Sequence, residues 1–285
     1  MGRTDLISAI ERHAFSGNLP GGLPYRGIGT ASVIQLSTEF DTVGWKVEQT
    51  ALEKGILPER YTRNRNIISR EDQIRLLGST VAVVGLGGLG GTLSGILARV
   101  GVGNLRLIDG DRFEESNLNR QLFSTVADIG KSKAEAAGKC ISQINPSVTV
   151  SVQDVDMDEN NAAELIQGAD AVVDCLDTVD ARFVLESAAK SQGIPLVSAA
   201  IGGETGHVTT IFPEDGGLVS IYGRREKGGK KEVGRALGAP PHAVSLISSL
   251  ESTEVLKVLL DRTGILRNQL LILDLNCYAF EIVQL

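Results

Sequence analysis

The sequence predicts an α/β fold, a doubly wound and mostly parallel sheet covered by helices on both faces. Three observations carry that prediction. From Thr80 onward, short apolar runs that read as buried strands alternate with longer helix-permissive runs, the pattern of strands joined by crossover helices. A glycine-rich turn, Gly85-Leu-Gly87-Gly88-Leu-Gly90, follows the first of those strands and opens its helix. Beyond it all, GHVTTIF (206–212) alternates apolar with polar, so antiparallel strands continue the sheet.

Taken in order, residues 1–60 read as an N-terminal helical extension wrapped on the main domain. ISAIERHAF suggests a short helix, NLPGGLPYRGIG a run of turns, and TVGWKVEQTALEKGI an amphipathic helix. Residues 61–285 form the main domain. TVAVVG is a β-branched strand bounded by glycine, LGGTLSGILARV a helix that Gly101 stops, and NLRLID a second strand. KSKAEAAGKCISQIN is a helix closed by Pro146, SVTVSVQDV a strand and ENNAAELIQG a helix. ADAVVDCLD follows as a buried strand, then DARFVLESAAKSQG as a helix and IPLVSAA as a strand. Residues 214–241 are polar and glycine-rich and read as a long loop. HAVSLISSLESTEVLKVLLDRTG is a helix ended by Gly264, and QLLILDLN and YAFEIVQL close the chain as strands.

Composition bounds the function. With 42% hydrophobic and 22% charged residues the chain has enough apolar surface for a core, which excludes wholesale disorder. Its 33 glycines exceed the usual share without any collagen-like period. A net charge of −7 argues against a nucleic-acid partner, which calls for a basic face. Cys140, Cys175 and Cys277 are too few for a disulfide framework or a four-thiolate zinc site. The first residues lack the apolar core of a signal peptide, Leu6 stands where a myristoylation signal has Ser or Thr, and no segment is apolar enough to span a membrane. The expectation is a cytoplasmic protein.

The glycine turn is a dinucleotide-type fingerprint in a Rossmann-like setting. Gly85 suits the tight turn, Gly87 lets backbone approach a phosphate, and Gly90 lets helix pack on strand. Asp109, nineteen residues past Gly90, ends the second strand where a carboxylate binds ribose hydroxyls. This motif alone leaves NAD and ATP both open. Asn117, Arg120 and Lys133 follow in a polar stretch after Asp109; an arginine and a lysine here exceed what a pyrophosphate diester needs and suit a triphosphate. Asp174 and Asp177 end the fourth strand. Asp177 is the candidate Mg²⁺ ligand, against the plainer reading that it or Thr178 caps the next helix; Asp174 reads as structural.

These residues together resemble the MoeB, ThiF and HesA family, bacterial relatives of ubiquitin-activating (E1) enzymes. GLGGLG, LIDGD, SNLNRQ, KSKAE, INP, DCLD and PLVSAA stand in that family's order from about Arg60 to Pro213. The resemblance implies ATP-dependent adenylation of the C-terminal glycine of a small ubiquitin-like sulfur-carrier protein ending in Gly-Gly. It implies a homodimer in which Arg63, from Arg60-Tyr-Thr-Arg63-Asn64, reaches the partner's ATP site in trans. It implies nucleotide contacts from Gly85, Gly87, Gly88, Gly90, Asp109, Asn117, Arg120 and Lys133, with Mg²⁺ on Asp177. The family's two Cys-x-x-Cys pairs are missing, so a zinc-free variant is expected, and its crossing-loop cysteine has no counterpart between 176 and 276.

Other readings compete. One is a related adenylating enzyme with another acceptor, either a dehydratase that modifies tRNA or an enzyme that activates a short peptide. Another is an NAD-dependent oxidoreductase, which leaves Arg120, Lys133 and Asp177 idle; a third is a non-catalytic partner that kept the fold. His13, His207 and His242 are scattered and read as packing or surface residues. The basic run from Arg224 to Lys231 reads as a solvated loop or as a lid guiding a carrier tail.

Overall fold

A computed structural model describes residues 3–19, 21–224 and 237–285. The N-terminal extension is helical, with α1 (Arg3–His13), α2 (Thr30–Glu39) and α3 (Gly44–Glu53), but it also carries a sheet of β1 (Phe15–Asn18), β2 (Pro24–Ile28) and β3 (Ile56–Pro58). Strand β2 lies within the stretch that reads as turns from sequence (18–29), while most of β1 and all of α2 fall beside it, where the sequence reading assigns no strand or helix of that kind. Ala9, Ile10, Ile28, Val33, Leu36, Val47, Ala51 and Ile56 give this unit its own apolar core.

A buried polar knot ties the extension to the main domain. Glu48 of α3, 1% exposed, accepts hydrogen bonds from Tyr61 Oη (3.0 Å) and Ser147 Oγ (2.8 Å) and lies 3.5 Å from the Arg60 guanidinium. Asn145 donates to Tyr61 Oη at 3.2 Å and to the Ala98 carbonyl at 2.9 Å. Burial pushes the Glu48 carboxyl up, partly offset by its hydrogen bonds and by Arg60. Tyr61→Phe leaves Glu48 without one of its donors and should cost ~1–3 kcal/mol. At about 2–4 °C per kcal/mol for a chain of this size the melting temperature falls several degrees; an unchanged melting curve would contradict the knot.

The main domain continues with α4 (Arg70–Gly78), β4 (Thr80–Val84), α5 (Gly88–Val100), β5 (Asn104–Ile108), α6 (Lys133–Ile144) and β6 (Thr149–Gln153). Then come α7 (Ala162–Ile166), β7 (Ala171–Asp174), α8 (Val179–Ser191), β8 (Leu196–Gly202) and β9 (Thr205–Ile211). A short α9 (Val219–Tyr222) lies inside the stretch read as loop, before α10 (Pro241–Leu259), β10 (Gln269–Asp274) and β11 (Ala279–Gln284). The eight-stranded sheet runs β11-β10-β9-β8-β7-β4-β5-β6. From β8 to β6 all neighbours are parallel, and β9, β10 and β11 add on antiparallel, as the change of period predicts.

Local chemistry sets the helix ends. Ser69 and Asp72 form a reciprocal capping box on α4, Ser132 caps α6, and Gly101 ends α5 in a left-handed conformation at φ +95°. One face of the sheet buries Val81, Val83, Leu105 and Val173 beneath α5, α6 and α10; the other buries Ala82, Val84, Ile108 and Val172 beneath α7 and α8. Strand order reverses between β4 and β7, the switch point at whose carboxyl ends open α/β sheets bind ligands.

Candidate active site

Gly85 and Gly90 build the floor of that crevice. Gly85 has φ +89°, and a Cβ on it would lie 2.6 Å from the Cys175 carbonyl oxygen; a Cβ on Gly90 would lie 1.8 Å from the Gly85 carbonyl oxygen. Neither backbone contact leaves room for a side chain. At Gly87 a Cβ would meet Gln121 Nε2 at 3.5 Å, an ordinary contact, whereas at Gly88 it would press on Val244 Cγ1 at 3.0 Å. The first-turn amides of α5 stand at a helix N-terminus that carries positive dipole, a ready anion site.

The residues singled out from sequence gather around this loop, with one exception. Asp109 accepts hydrogen bonds from the Leu86 amide (2.5 Å) and the Asp111 amide (2.8 Å), which aims its carboxylate at the loop. Burial pushes its carboxyl up, and the loop amide and Lys133 pull it back. Lys133 is 8% exposed and pairs with Asp111 at 2.8 Å. Asn117 is buried and folds the 114–121 segment: its Oδ1 accepts from Glu114 N, and its carbonyl takes the amides of Arg120 and Gln121. Arg120 lies over Gly88, its guanidinium held by the Ser116 carbonyl (3.0 Å) and Asn119 Oδ1 (2.9 Å).

Asp177 is exposed at the end of β7, two residues past the Cys175 carbonyl that supports Gly85. Of the two residues proposed as the cap of α8, Thr178 fills it, accepting from the Ala181 amide at 3.3 Å. Asp174 is structural as expected: wholly buried, it pairs with Arg182 at 2.8 Å and accepts from Ser198 Oγ at 2.7 Å. Among the described residues no group of three or more His, Cys, Asp or Glu could hold a metal ion. A single carboxylate beside a phosphate site fits Mg²⁺, which takes one or two protein carboxylates and completes its shell with phosphate oxygens and water.

The exception is Arg63. Its neighbours place it at the opposite end of α5: Tyr61 packs against Gly101, Gln73 donates to the Val100 carbonyl, and Arg262 donates to the Ile67 carbonyl. A helix of 13 residues is about 20 Å long, so Arg63 lies beyond side-chain reach of its own glycine loop. The two arginines of Arg60-Tyr-Thr-Arg63 divide: Arg60 is committed to Glu48, the Ile144 carbonyl and Thr30, whereas Arg63 is exposed.

Sequence reasoning passed over two buried groups. Gln121, 6% exposed against Gly87, keeps an Oε1 with no hydrogen-bond partner, an acceptor beside the ligand surface. Glu251 of α10 is wholly buried, with both oxygens 3.7–3.8 Å from Cys175 Sγ. Burial, with the Asp174 charge, pushes its carboxyl well up; burial likewise pushes the Cys175 thiol well up, so it is a poor nucleophile. A group with a raised pKa in the fold stabilises fully below its unfolded value and loses that contribution as pH rises. Glu251→Gln should therefore melt like the wild type near pH 4 and above it at pH 7–8. Equal melting temperatures across that range would contradict the buried acid.

Of the histidines, His207 is bonded to Tyr222 Oη at 3.1 Å and is pushed down to about 4 by burial and by Arg182, while His242 is exposed 3.4 Å from Glu204. The basic run beyond Arg224 lies outside the described residues.

The sequence model of the ThiF family matches residues 61–285. The SAMP-activating enzyme E1 of Haloferax volcanii is 35% identical over 227 residues, covering 79% of this chain and 84% of that protein. The molybdopterin-synthase adenylyltransferase of Escherichia coli is 35% identical over 205 residues, covering 70% and 82%. The crystal structure of PaaA superposes with a TM-score of 0.66 at 26% identity, covering 79% of this chain and 72% of that one.

Proposed function

We infer the acceptor and the working of the site from the family: the chain belongs to the ThiF family and is an E1-like adenylyltransferase. Its acceptor is the C-terminal glycine carboxylate of a small ubiquitin-like sulfur-carrier protein ending in Gly-Gly, adenylated by ATP with release of pyrophosphate. The observation that carries this reading is the convergence of the glycine loop, Asp109, Arg120 and Lys133 at the switch point of the sheet. The names of the two relatives above, one activating SAMP and one serving molybdopterin synthase, support a carrier of that kind.

A free carboxylate is a poor electrophile because its leaving group would be oxide. Attack of one carboxylate oxygen on the α-phosphorus breaks the bond to the bridging oxygen, expels pyrophosphate and leaves an acyl adenylate whose leaving group is AMP. No side chain is needed as covalent nucleophile. The chain supplies position and charge. Asp109 holds the ribose, the α5 amides meet phosphate oxygens, and Arg120, Lys133 and Asn117 face the charge that grows on the leaving pyrophosphate. Lys133 exchanges Asp111 for phosphate as ATP enters. Asp177 would hold Mg²⁺, which when bound neutralises phosphate charge.

Arg63 completes the site of a second copy. Its place at the far end of α5 supports action in trans, and Leu122, 64% exposed, borders a groove between α5 and α6 that could receive the partner. Zinc has no part, since three cysteines cannot supply four thiolates. Elemental analysis should find no stoichiometric zinc, and one zinc per chain would contradict the assignment.

Thermal melting tests the nucleotide. ATP with Mg²⁺ at 100 times its Kd should add about 2.7 kcal/mol and raise the melting temperature by several degrees. NAD⁺ and tRNA should leave it unchanged. A rise with NAD⁺ or tRNA and none with ATP would overturn the reading.

A further inference from the structure

We infer that Arg182 is a positioning residue for the Asp177 carboxylate, an assignment that rests on the reading of Asp177 as the Mg²⁺ ligand. Arg182 of α8 is 4% exposed and spends its guanidinium on the end of β7 and its neighbour β8. Nη1 donates to Asp174 Oδ2 at 2.8 Å and to the Ala199 carbonyl at 2.8 Å, with Ser198 Oγ at 3.4 Å; Nη2 donates to the Leu176 carbonyl. Asp174 in turn accepts from the Leu176 amide at 3.1 Å. Both peptide groups of Leu176 are thus clamped by one buried ion pair.

The residue after the clamp is Asp177, and the residue after that is Thr178, whose hydroxyl is committed to the cap of α8. Asp177 therefore sits on a single backbone step fixed at both sides. The same strand end carries the Cys175 carbonyl against which Gly85 packs. An exposed carboxylate on free chain spends little time in one place; held this way its ordering cost is met in folding rather than at metal binding. A buried charge pair of this kind is weak evidence of stability alone, whereas three bonds to main-chain groups beside the site specify geometry.

Isothermal titration with ATP, with and without Mg²⁺ and without any acceptor, tests the assignment on the full chain. Wild type should bind ATP more tightly with Mg²⁺ than in EDTA. Asp177→Asn and Arg182→Lys should each lose most of that enhancement, about tenfold, while their affinities in EDTA stay within twofold of wild type. Ser198→Ala, which leaves the ion pair but removes one partner of Asp174, should show a partial loss and serves if Arg182→Lys fails to fold. Full enhancement in folded Arg182→Lys, or in Ser198→Ala if only that variant folds, with the loss confined to Asp177→Asn, would overturn the positioning role and leave the metal reading standing. Full enhancement in Asp177→Asn would overturn the metal reading itself, and with it this inference.

Discussion

Arg63→Ala and Lys133→Ala proteins are each expected to be nearly inactive, and an equal mixture of the two is expected to recover about a quarter of wild-type adenylation. Removing one cation that meets transition-state charge costs ~3–4 kcal/mol, or about 10²–10³ in rate. If Arg63 serves the partner's site, a mixed dimer contains one site with Lys133 from one copy and Arg63 from the other, both intact. Random exchange makes half the dimers mixed, and each has one of its two sites whole. The geometry favours this outcome because the Arg63 segment is packed at the C-terminal end of α5, a helix length from the glycines at its start. A mixture that stays as inactive as its parents, with subunit exchange demonstrated, would contradict action in trans and mean that Arg63 acts within its own chain or not at all.

Gly90→Ala is expected to abolish ATP binding, and with it the ATP-dependent rise in melting temperature. The added Cβ would meet the Gly85 carbonyl oxygen at 1.8 Å, and neither partner is a flexible side chain that can step aside. Relief requires the start of α5 to move off β4, which disperses the amides that face the phosphates. Gly91→Ala is the control in the same helical turn. Its Cβ would find the Leu86 carbonyl oxygen at 3.4 Å and Phe123 at 3.6 Å, ordinary contacts, so the ATP response should survive. Loss of the response in both variants, or in neither, would contradict the role given to the close approach at Gly90.

The order in which these features can be read from the chain follows the range of the interactions that make them. The parallel core is legible because its central strands are short, largely apolar runs and their helices carry local stops, as with TVAVV before the glycine loop and Gly101 after α5. The glycine loop and Asp109 are legible because strand, turn and helix are neighbours in sequence. The hairpin β1–β2 is not, because PYRGI contains proline and glycine and is exposed for half its length, so it lacks the alternation that marks a half-buried strand. Arg60 and Arg63 look alike on paper. What separates them is Glu48, twelve residues earlier, and the Ile144 carbonyl, which only the tertiary fold brings to Arg60. Arg182 reads as one more helical arginine, and its burial depends on β7 and β8 arriving side by side.

The central claim is that this chain joins AMP to the carboxylate of a carrier protein. Exchange of labelled pyrophosphate into ATP measures that step most directly, because it requires the adenylate to form and reverse. With Mg²⁺ and a ubiquitin-like carrier ending in Gly-Gly, exchange should be rapid, should vanish when the terminal glycine is removed, and should be lost in Asp177→Asn without loss of fold. Exchange that proceeds equally without any carrier, or at the wild-type rate in Asp177→Asn, would contradict the account.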